Sequence, residues 1–155
     1  MRSHVIKSIF KNSSKLLPGD CKFNIFSFGS RFSSLWPSPE PYSIDTKAEA
    51  ENHIDTMEAN YGGTDLKEPL EKIFENSQNI PKNTRREVIV LTDGAVYNTE
   101  EVLALTRNHC KSGKNRAFSI GIGSGCSTAL VNGIARAGMG QSLYVINDDR
   151  LQGNA

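Results

Sequence analysis

The stretch Val88-Ile89-Val90-Leu91-Thr92-Asp93-Gly94 decides the fold class of this 155-residue chain. Its first four residues are apolar and show no polar alternation, which is typical of a strand covered on both faces. The run ends where Asp93 meets Gly94, a pair that indicates a turn. A strand of this kind predicts a parallel sheet with helices packed on both of its faces.

Strand and helix patterns continue to alternate after this strand. We predict a helix over residues 99–111, a strand over 117–122, a helix capped by Ser127 that stops at 138–140, and a last strand over 143–146. Because parallel strands need crossover connections, which are usually helical, this order predicts an α/β fold with a mostly parallel sheet.

The part of the chain before Val88 shows the same alternation. We predict an amphipathic helix over residues 5–17, a strand over 23–28 and a short edge strand over 33–36. Thr46 and Glu49 form a capping-box pattern that predicts the start of the next helix. A further helix is predicted around residues 66–74, after the break at Gly62-Gly63.

Composition excludes several function classes. Hydrophobic residues make up 37% and charged residues 23% of the chain, and the formal net charge is +1, so we expect one globular domain and no nucleic-acid partner. No apolar run is long enough to predict a membrane span. The three cysteines are far apart, which argues against a disulfide framework, and the N-terminus lacks a secretory signal pattern, which predicts a cytoplasmic chain.

Two polar residues are the candidates for a binding site. In open α/β sheets, ligands bind beyond the carboxyl ends of the strands. Asp93 directly follows the most apolar strand, and Thr64 precedes a predicted helix. A carboxylate and a hydroxyl together suit a hard divalent cation such as Mg²⁺. The alternatives are that Asp93 is a plain turn residue and that Thr64 is a helix cap.

Five stretches resemble the von Willebrand factor A (VWA) domain family, in that family's order and spacing. They are Phe23-Asn24-Ile25-Phe26-Ser27-Phe28-Gly29-Ser30, Gly62-Gly63-Thr64-Asp65, residues 88–94, Phe118-Ser119-Ile120-Gly121-Ile122-Gly123 and Gly133-Ile134-Ala135-Arg136-Ala137. The resemblance is closest to the subgroup found downstream of a VIT domain, as in the inter-alpha-trypsin inhibitor heavy chains and vault poly(ADP-ribose) polymerase. It implies a Rossmann-like fold and a protein-binding role.

The resemblance also implies a metal site. Members of this family hold Mg²⁺ or Mn²⁺ at a metal-ion-dependent adhesion site, where a protein partner completes the coordination with its own carboxylate. Thr64 and Asp93 match two of the five ligand positions. The remaining three belong to an Asp-x-Ser-x-Ser motif after the family's first strand, and residues 1–4 do not supply it. We therefore expect an incomplete site that binds no metal by itself.

By the same resemblance, residues 1–155 form one partial VWA domain. The family's first strand is missing, and we expect its position to lie between the strand over 23–28 and the strand over 88–91. The pattern of residues 149–152 resembles the start of the family's last helix, which would then be cut. The predicted function is a protein-binding module, not an enzyme. One alternative is a truncated fragment without binding activity.

A hydrolase is the enzymatic alternative. Gly125-Cys126-Ser127-Thr128-Ala129 approximates a nucleophile elbow, with Ser127 as the nucleophile. An α/β-hydrolase needs a histidine after this serine, whereas His4, His53 and His109 all precede it. Helix capping therefore explains Ser127 better.

Overall fold

The structure, a computed structural model, describes residues 19–57, 64–75 and 77–146. Its strands are β1 (Lys22–Phe23), β2 (Phe26–Phe28), β3 (Phe32–Ser34), β4 (Glu40–Pro41), β5 (Arg86–Thr92), β6 (Asn115–Ile122) and β7 (Met139–Val145). Its helices are α1 (Ile44–Thr56), α2 (Lys67–Phe74), α3 (Thr99–Cys110) and α4 (Thr128–Ala137), with a 3-10 turn at Ser77–Asn79. The helices predicted over residues 5–17 and after 149 lie outside the described residues, as do Gly62 and Gly63.

A three-stranded parallel sheet, in the order β5-β6-β7, organises the domain. The helices α3 and α4 pack on one face of it, and Ser119 of β6 donates a hydrogen bond to the carbonyl of Val131 in α4. The buried core lies between this face and the helices, and includes Val90, Val102 and Ile134. The predicted α/β architecture with a parallel sheet is confirmed. In the described part, no helix is long and apolar enough to cross a membrane.

The strand predicted over residues 23–28 is wrong as one continuous element. It is divided into β1, which pairs antiparallel with β4, and β2, which pairs antiparallel with β3. The side chain of Asn24 causes the break, because its Oδ1 accepts hydrogen bonds from Ile25 N–H (2.8 Å) and from Trp36 N–H (3.2 Å). A side-chain acceptor thus replaces a neighbouring strand at this point.

Helix α1 starts earlier than the sequence predicts. Ser43 is its N-cap, and Ser43 Oγ accepts the Thr46 N–H (3.1 Å) while Thr46 Oγ1 accepts the Ser43 N–H (2.8 Å). The capping box is therefore formed by Ser43 and Thr46, three residues closer to the N-terminus than the predicted pair Thr46 and Glu49. Thr46 serves as the N3 residue of the box, and its hydroxyl takes the place of the usual glutamate carboxylate.

One face of β5 is more open than its apolar sequence predicts. Val88 and Val90 are buried, but Ile89 between them is 52% exposed. Ile89 lies opposite Phe118 of β6, and Val90 lies opposite Ser119, which faces α4. Because successive residues of a strand point to opposite faces, Ile89 lies on the face that α3 and α4 do not cover. The expectation that β5 is buried on both faces is therefore wrong at Ile89.

Helix α2 runs parallel to α3. At their first turns, Lys67 Nζ lies 2.6 Å from the Glu101 carboxylate. At their last turns, the Phe74 ring stacks on the His109 ring with centroids 5.0 Å apart. Both helices therefore begin at the same end of the domain. Since α3 follows β5, that end is the carboxyl edge of the parallel sheet.

Arg86, the first residue of β5, binds the last turn of α2. Its Nη1 donates to the carbonyl of Ile73 (2.5 Å) and lies within 3.3 Å of Ser77 Oγ and 3.4 Å of the Glu75 carbonyl. Burial lowers the pKa of Arg86. The guanidinium thus satisfies carbonyls that end a helix without an intrahelical partner.

We expect Arg86→Ala to lower the free energy of unfolding by about 1.5–3 kcal/mol, because charged hydrogen bonds to otherwise unsatisfied carbonyls are lost. Urea unfolding followed by far-UV circular dichroism measures this change. The matched control is Arg85→Ala, because Arg85 is exposed and pairs with Glu87 (2.8 Å) at the surface. Its loss should change stability by less than about 1 kcal/mol. Equal effects of the two substitutions would show that Arg86 does not cap α2.

Candidate functional site

The carboxyl edge of the parallel sheet carries the loops that follow β5 and β6. The Gly123 N–H donates to the Val145 carbonyl (2.8 Å), and the Ser127 N–H lies 3.4 Å from the Gly94 carbonyl. The loop after β6 therefore spans from β7 to the turn after β5. Gly123 has a φ of 78°, a left-handed conformation that glycine adopts without strain.

Asp93 is the first residue after β5 and lies beside this loop. Its side chain is half-buried, with Oδ2 buried, and its carbonyl lies close to Gly125. The residue after it, Gly94, does not adopt a positive φ. The turn at this point therefore does not require glycine, and the interpretation of Asp93 as a plain turn residue stays open beside its interpretation as a metal ligand.

The neighbour of Thr64, Asp65, is hydrogen-bonded to the residue after β2, and this bond holds Thr64 near the end of that strand. The Asp65 N–H donates to the carbonyl of Gly29, the residue that follows β2, at 2.6 Å. Asp65 Oδ1 accepts the Lys67 N–H (3.0 Å) in the first turn of α2. Asp65, not Thr64, thus binds the first turn of the helix. The interpretation of Thr64 as the cap of α2 is wrong.

The two predicted metal ligands lie at the same edge of the domain. Thr64 precedes α2 and Asp93 precedes α3, and the parallel packing of these helices places both starting points at the carboxyl edge of β5. Asp65, which anchors Thr64, is not among the residues that the sequence predicts for the site. The Gly-Thr-Asp order contains this signal, because aspartate beside a helix start is a common acceptor for the first turn.

Charges at this edge are partly paired. The hydrogen bond from Lys67 to Glu101 raises the pKa of Lys67, and the negative charge of Glu101 adds to this effect. At the β7 side, burial and the neighbouring Cys126 raise the pKa of Tyr144, whose hydroxyl lies 2.7 Å from Asn132 Oδ1. At neutral pH both Lys67 and Tyr144 are protonated, and neither is a good ligand for a hard cation in that state. The metal chemistry therefore rests on Asp93 and Thr64.

The chemistry of this pair fits part of a site for a hard cation. Mg²⁺ prefers six oxygen ligands in octahedral geometry and keeps several waters. Asp93 and Thr64 would provide a carboxylate and a hydroxyl oxygen. Within residues 19–57, 64–75 and 77–146, no three His, Cys, Asp or Glu side chains form a group that could hold a metal ion. A cation at this edge therefore needs oxygens beyond those of the described carboxylates.

Ser127 and two histidines have structural roles. Ser127 is the N-cap of α4, and its Oγ accepts the Leu130 N–H at 3.2 Å, which confirms the capping interpretation. His109 stacks on Phe74, and His53 Nε2 lies 3.3 Å from Ser27 Oγ. His4 lies outside the described residues. Neither described histidine is placed to act as a base for Ser127.

The fold defines a class of protein: a Rossmann-like α/β domain with helices packed beside a parallel sheet. The sequence profile of the von Willebrand factor type A domain matches residues 1–144. The chain belongs to the von Willebrand factor type A domain family.

A curated relative and two solved structures agree with this assignment. The human von Willebrand factor A domain-containing protein 5B1 is 40% identical over 149 residues, covering 96% of this chain and 12% of the relative. The chain therefore spans about an eighth of that relative's length. The structure of a von Willebrand factor type A protein from Catenulispora acidiphila superposes with a TM-score of 0.81 at 19% identity, covering 96% of this chain and 35% of that one.

The manganese-loaded TRAP protein of Plasmodium vivax is also similar in fold. Its TM-score is 0.70 at 20% identity, with 96% of this chain and 61% of that chain covered. At this level of identity the likeness establishes the Rossmann-like fold with helices beside a parallel sheet. The manganese belongs to that protein.

Proposed function

We propose that this chain is a protein-binding VWA module, not an enzyme, and that its binding surface is the edge where Thr64 and Asp93 lie. The observation that carries the proposal is the parallel packing of α2 and α3, because it brings the segments before both helices to one edge. Protein-interaction roles are general in this family, which supports the assignment of the edge to a protein partner.

Thr64 and Asp93 are two ligand positions of an incomplete metal-ion-dependent adhesion site. They would hold Mg²⁺ or Mn²⁺ only together with further oxygens, among them a carboxylate of the protein partner. The cation, when bound, links the module to that carboxylate. The protein's contribution is to keep Asp93 half-buried beside the loop after β6 and to fix Thr64 through the bond between Asp65 and Gly29.

The remaining ligands would come from a strand between β2 and β5. Two observations support this position. In the described part of the chain, β2 pairs with β3 and β5 pairs with β6, whereas β2 and β5 are not hydrogen-bonded to each other. The contact between Gly29 and Asp65 places the carboxyl end of β2 at the same edge as that of β5, so both strands run in the same direction. A parallel strand would fit between them.

The finer assignment, to the subgroup found downstream of a VIT domain, rests on the resemblance of the matching stretches. In that arrangement the module would be one part of a longer protein. Its partner-binding edge would have to remain open to solvent beside the neighbouring domain.

We expect the purified chain to show no specific binding of Mn²⁺ in isothermal titration calorimetry. Two protein ligands do not replace enough of the hydration shell of a small, strongly hydrated cation. Asp93→Ala is the test variant, and Asp45→Ala, in the exposed first turn of α1, is its matched control. Micromolar Mn²⁺ affinity that Asp93→Ala abolishes and Asp45→Ala leaves intact would contradict the incomplete site and would indicate a complete one.

A further inference from the structure

A hollow of about 450 Å³ lies between α3 and α4, away from the edge that carries Asp93. Its apolar lining consists of Leu103, Gly133, Ala137 and Met139. Gly133 makes this contact between the helices possible, because a Cβ there would lie 2.7 Å from the Leu103 side chain. The hollow extends along α3 from its second turn, at Leu103, to Lys111 and along the second half of α4, whereas the first turns of both helices lie at the carboxyl edge of the sheet. It is therefore a surface separate from the proposed metal edge.

Three cations surround the apolar lining. Arg107 and Lys111 extend from α3 and Arg136 from α4, and all three side chains are exposed. None of them forms an ion pair with an acidic residue of the described part, and the lining contains no acidic residue. The whole chain carries a net charge of only +1, so the positive charge is locally concentrated here. Cations at helix carboxyl ends also stabilise the helices, but this does not explain the apolar hollow between them.

Met139, at the rim of the hollow, provides a second and independent observation. It has a φ of 55°, the only positive φ of a non-glycine residue in the described ranges, and it is 50% exposed. A left-handed conformation is unfavourable for a residue with a side chain. The conformation is held because Arg116 Nε donates to the Met139 carbonyl (2.7 Å) while its guanidinium lies 5.4 Å from the centre of the Phe118 ring. The left-handed conformation at Met139 ends α4, because Gly138 is the C-cap and Met139 follows it. The fold thus keeps a flexible apolar side chain exposed at the rim of the hollow.

We propose that this hollow binds an acidic segment of a protein partner. One apolar side chain of the segment would enter the hollow against Leu103 and Met139, and its carboxylates would pair with Arg107, Lys111 and Arg136. Leu103 and Lys111 are about 12 Å apart along the helix axis, at about 1.5 Å per residue. This distance corresponds to about two turns of a partner helix. Complementary charge accelerates association and makes binding sensitive to salt.

A labelled peptide tests the proposal on the full chain. The probe is a fluorescein-labelled synthetic peptide in which glutamates surround a single leucine, and fluorescence anisotropy measures its affinity. We expect Arg107→Glu combined with Arg136→Glu to weaken binding by about tenfold or more, because two attractive contacts become repulsive. The matched control is Lys82→Glu, on an exposed loop before β5, and it should change the affinity by less than about twofold.

Met139→Gly tests the apolar contact without adding strain. Glycine adopts a positive φ freely, so this variant should melt at the same temperature as the parent chain or higher. We expect it nevertheless to weaken binding of the peptide several-fold. Unchanged affinity in Met139→Gly would remove the apolar anchor from the proposal.

Three other results would overturn the proposal. Equal affinity of the charge-reversed double variant and of Lys82→Glu would show that the hollow is not the site. A single-stranded oligonucleotide of matched charge that competes as well as the peptide would indicate a nucleic-acid surface. A dimer in analytical ultracentrifugation that the double variant dissociates would indicate a second copy of the chain as the occupant.

Discussion

Replacement of Gly140 by alanine is expected to lower the free energy of unfolding by about 3 kcal/mol, the upper end of the range for overpacking a close contact. A Cβ at Gly140 would lie 1.9 Å from the carbonyl oxygen of Ala117 and 2.8 Å from its carbonyl carbon. These atoms belong to the backbone of β6, which is paired with β5 on one side and with β7 on the other. The clash can be relieved only if the β6-β7 pairing shifts.

The irregular register between β6 and β7 explains why glycine is needed at this position. Met139 pairs with Ala117 and Ser142 pairs with Ser119, so two residues of β7 lie opposite Phe118 alone. At this bulge the backbone of Gly140 lies close to the backbone of Ala117. Urea unfolding followed by circular dichroism measures the effect of Gly140→Ala.

Gly94→Ala is the matched control. A Cβ at Gly94 meets no atom within 4 Å, and the residue has no positive φ. This substitution should leave the chain as stable as before or more stable by up to about 1 kcal/mol, because it restricts the unfolded chain. If Gly140→Ala unfolded at the same urea concentration as Gly94→Ala, the close approach of β7 to Ala117 would be wrong.

The bounds of α3 and β6 could be predicted because their signals are local. The sequence predicts a helix over residues 99–111 and a strand over 117–122, and the structure has Thr99–Cys110 and Asn115–Ile122. The start of β7 could not be predicted in the same way. A glycine pair at 138 and 140 indicates a break, whereas the chain enters the strand directly at Met139 because the missing Cβ atoms let it approach Ala117.

The break between β1 and β2 depends on a contact between residues far apart in sequence. Asn24 accepts a hydrogen bond from the N–H of Trp36, and only the folded chain brings these two residues together. The local pattern of residues 23–28 is short, rich in aromatic residues and followed by Gly29, which predicts one strand. The hydrogen bonds to the Asn24 side chain therefore break the strand that the local sequence favours.

The sequence predicts Thr64 and Asp93 as candidate residues, but it does not predict that they lie at the same edge of the domain. The rule that ligands bind at the carboxyl ends of parallel strands predicts which residues to consider. The common edge itself follows from the pairing of Lys67 with Glu101 and of Phe74 with His109, at sequence separations that no local pattern records. The hollow beside Arg107 and Arg136 depends on the same kind of contact, between α3 and α4.

The contact between Phe74 and His109 contributes to the hydrophobic core and also holds α2 parallel to α3, which brings Thr64 and Asp93 to one edge. Phe74 is 1% exposed and belongs to the main hydrophobic cluster, together with Leu70 and Val90. Its ring stacks on His109 at an interplanar angle of 7°. We expect Phe74→Ala to lower the free energy of unfolding by about 3–5 kcal/mol, because the substitution leaves a cavity between α2 and α3.

This loss is large against the stability of an ordinary domain, about 5–15 kcal/mol. The matched control is Phe32→Ala. Phe32 is half-buried on β3 and faces Phe26 at a ring distance of 6.4 Å. Because part of the Phe32 ring is already in contact with water, we expect a loss of about 2 kcal/mol or less, below that of a fully buried aromatic residue. Urea unfolding measures both variants.

Hydrogen exchange then separates a general loss of stability from a local one. In Phe74→Ala, the amides of Leu70 and Glu75, which donate to carbonyls one turn earlier in α2, should exchange faster than those of β6. The reason is that α2 loses the contact with α3 at its last turn, whereas Leu70 and the pair between Lys67 and Glu101 still hold the rest of the helix. Thr64 would lose its fixed position with it. Equal acceleration of exchange in α2 and β6 would instead show that α2 opens only when the whole domain unfolds. A loss of unfolding free energy in Phe74→Ala no larger than that in Phe32→Ala would contradict the core position of Phe74.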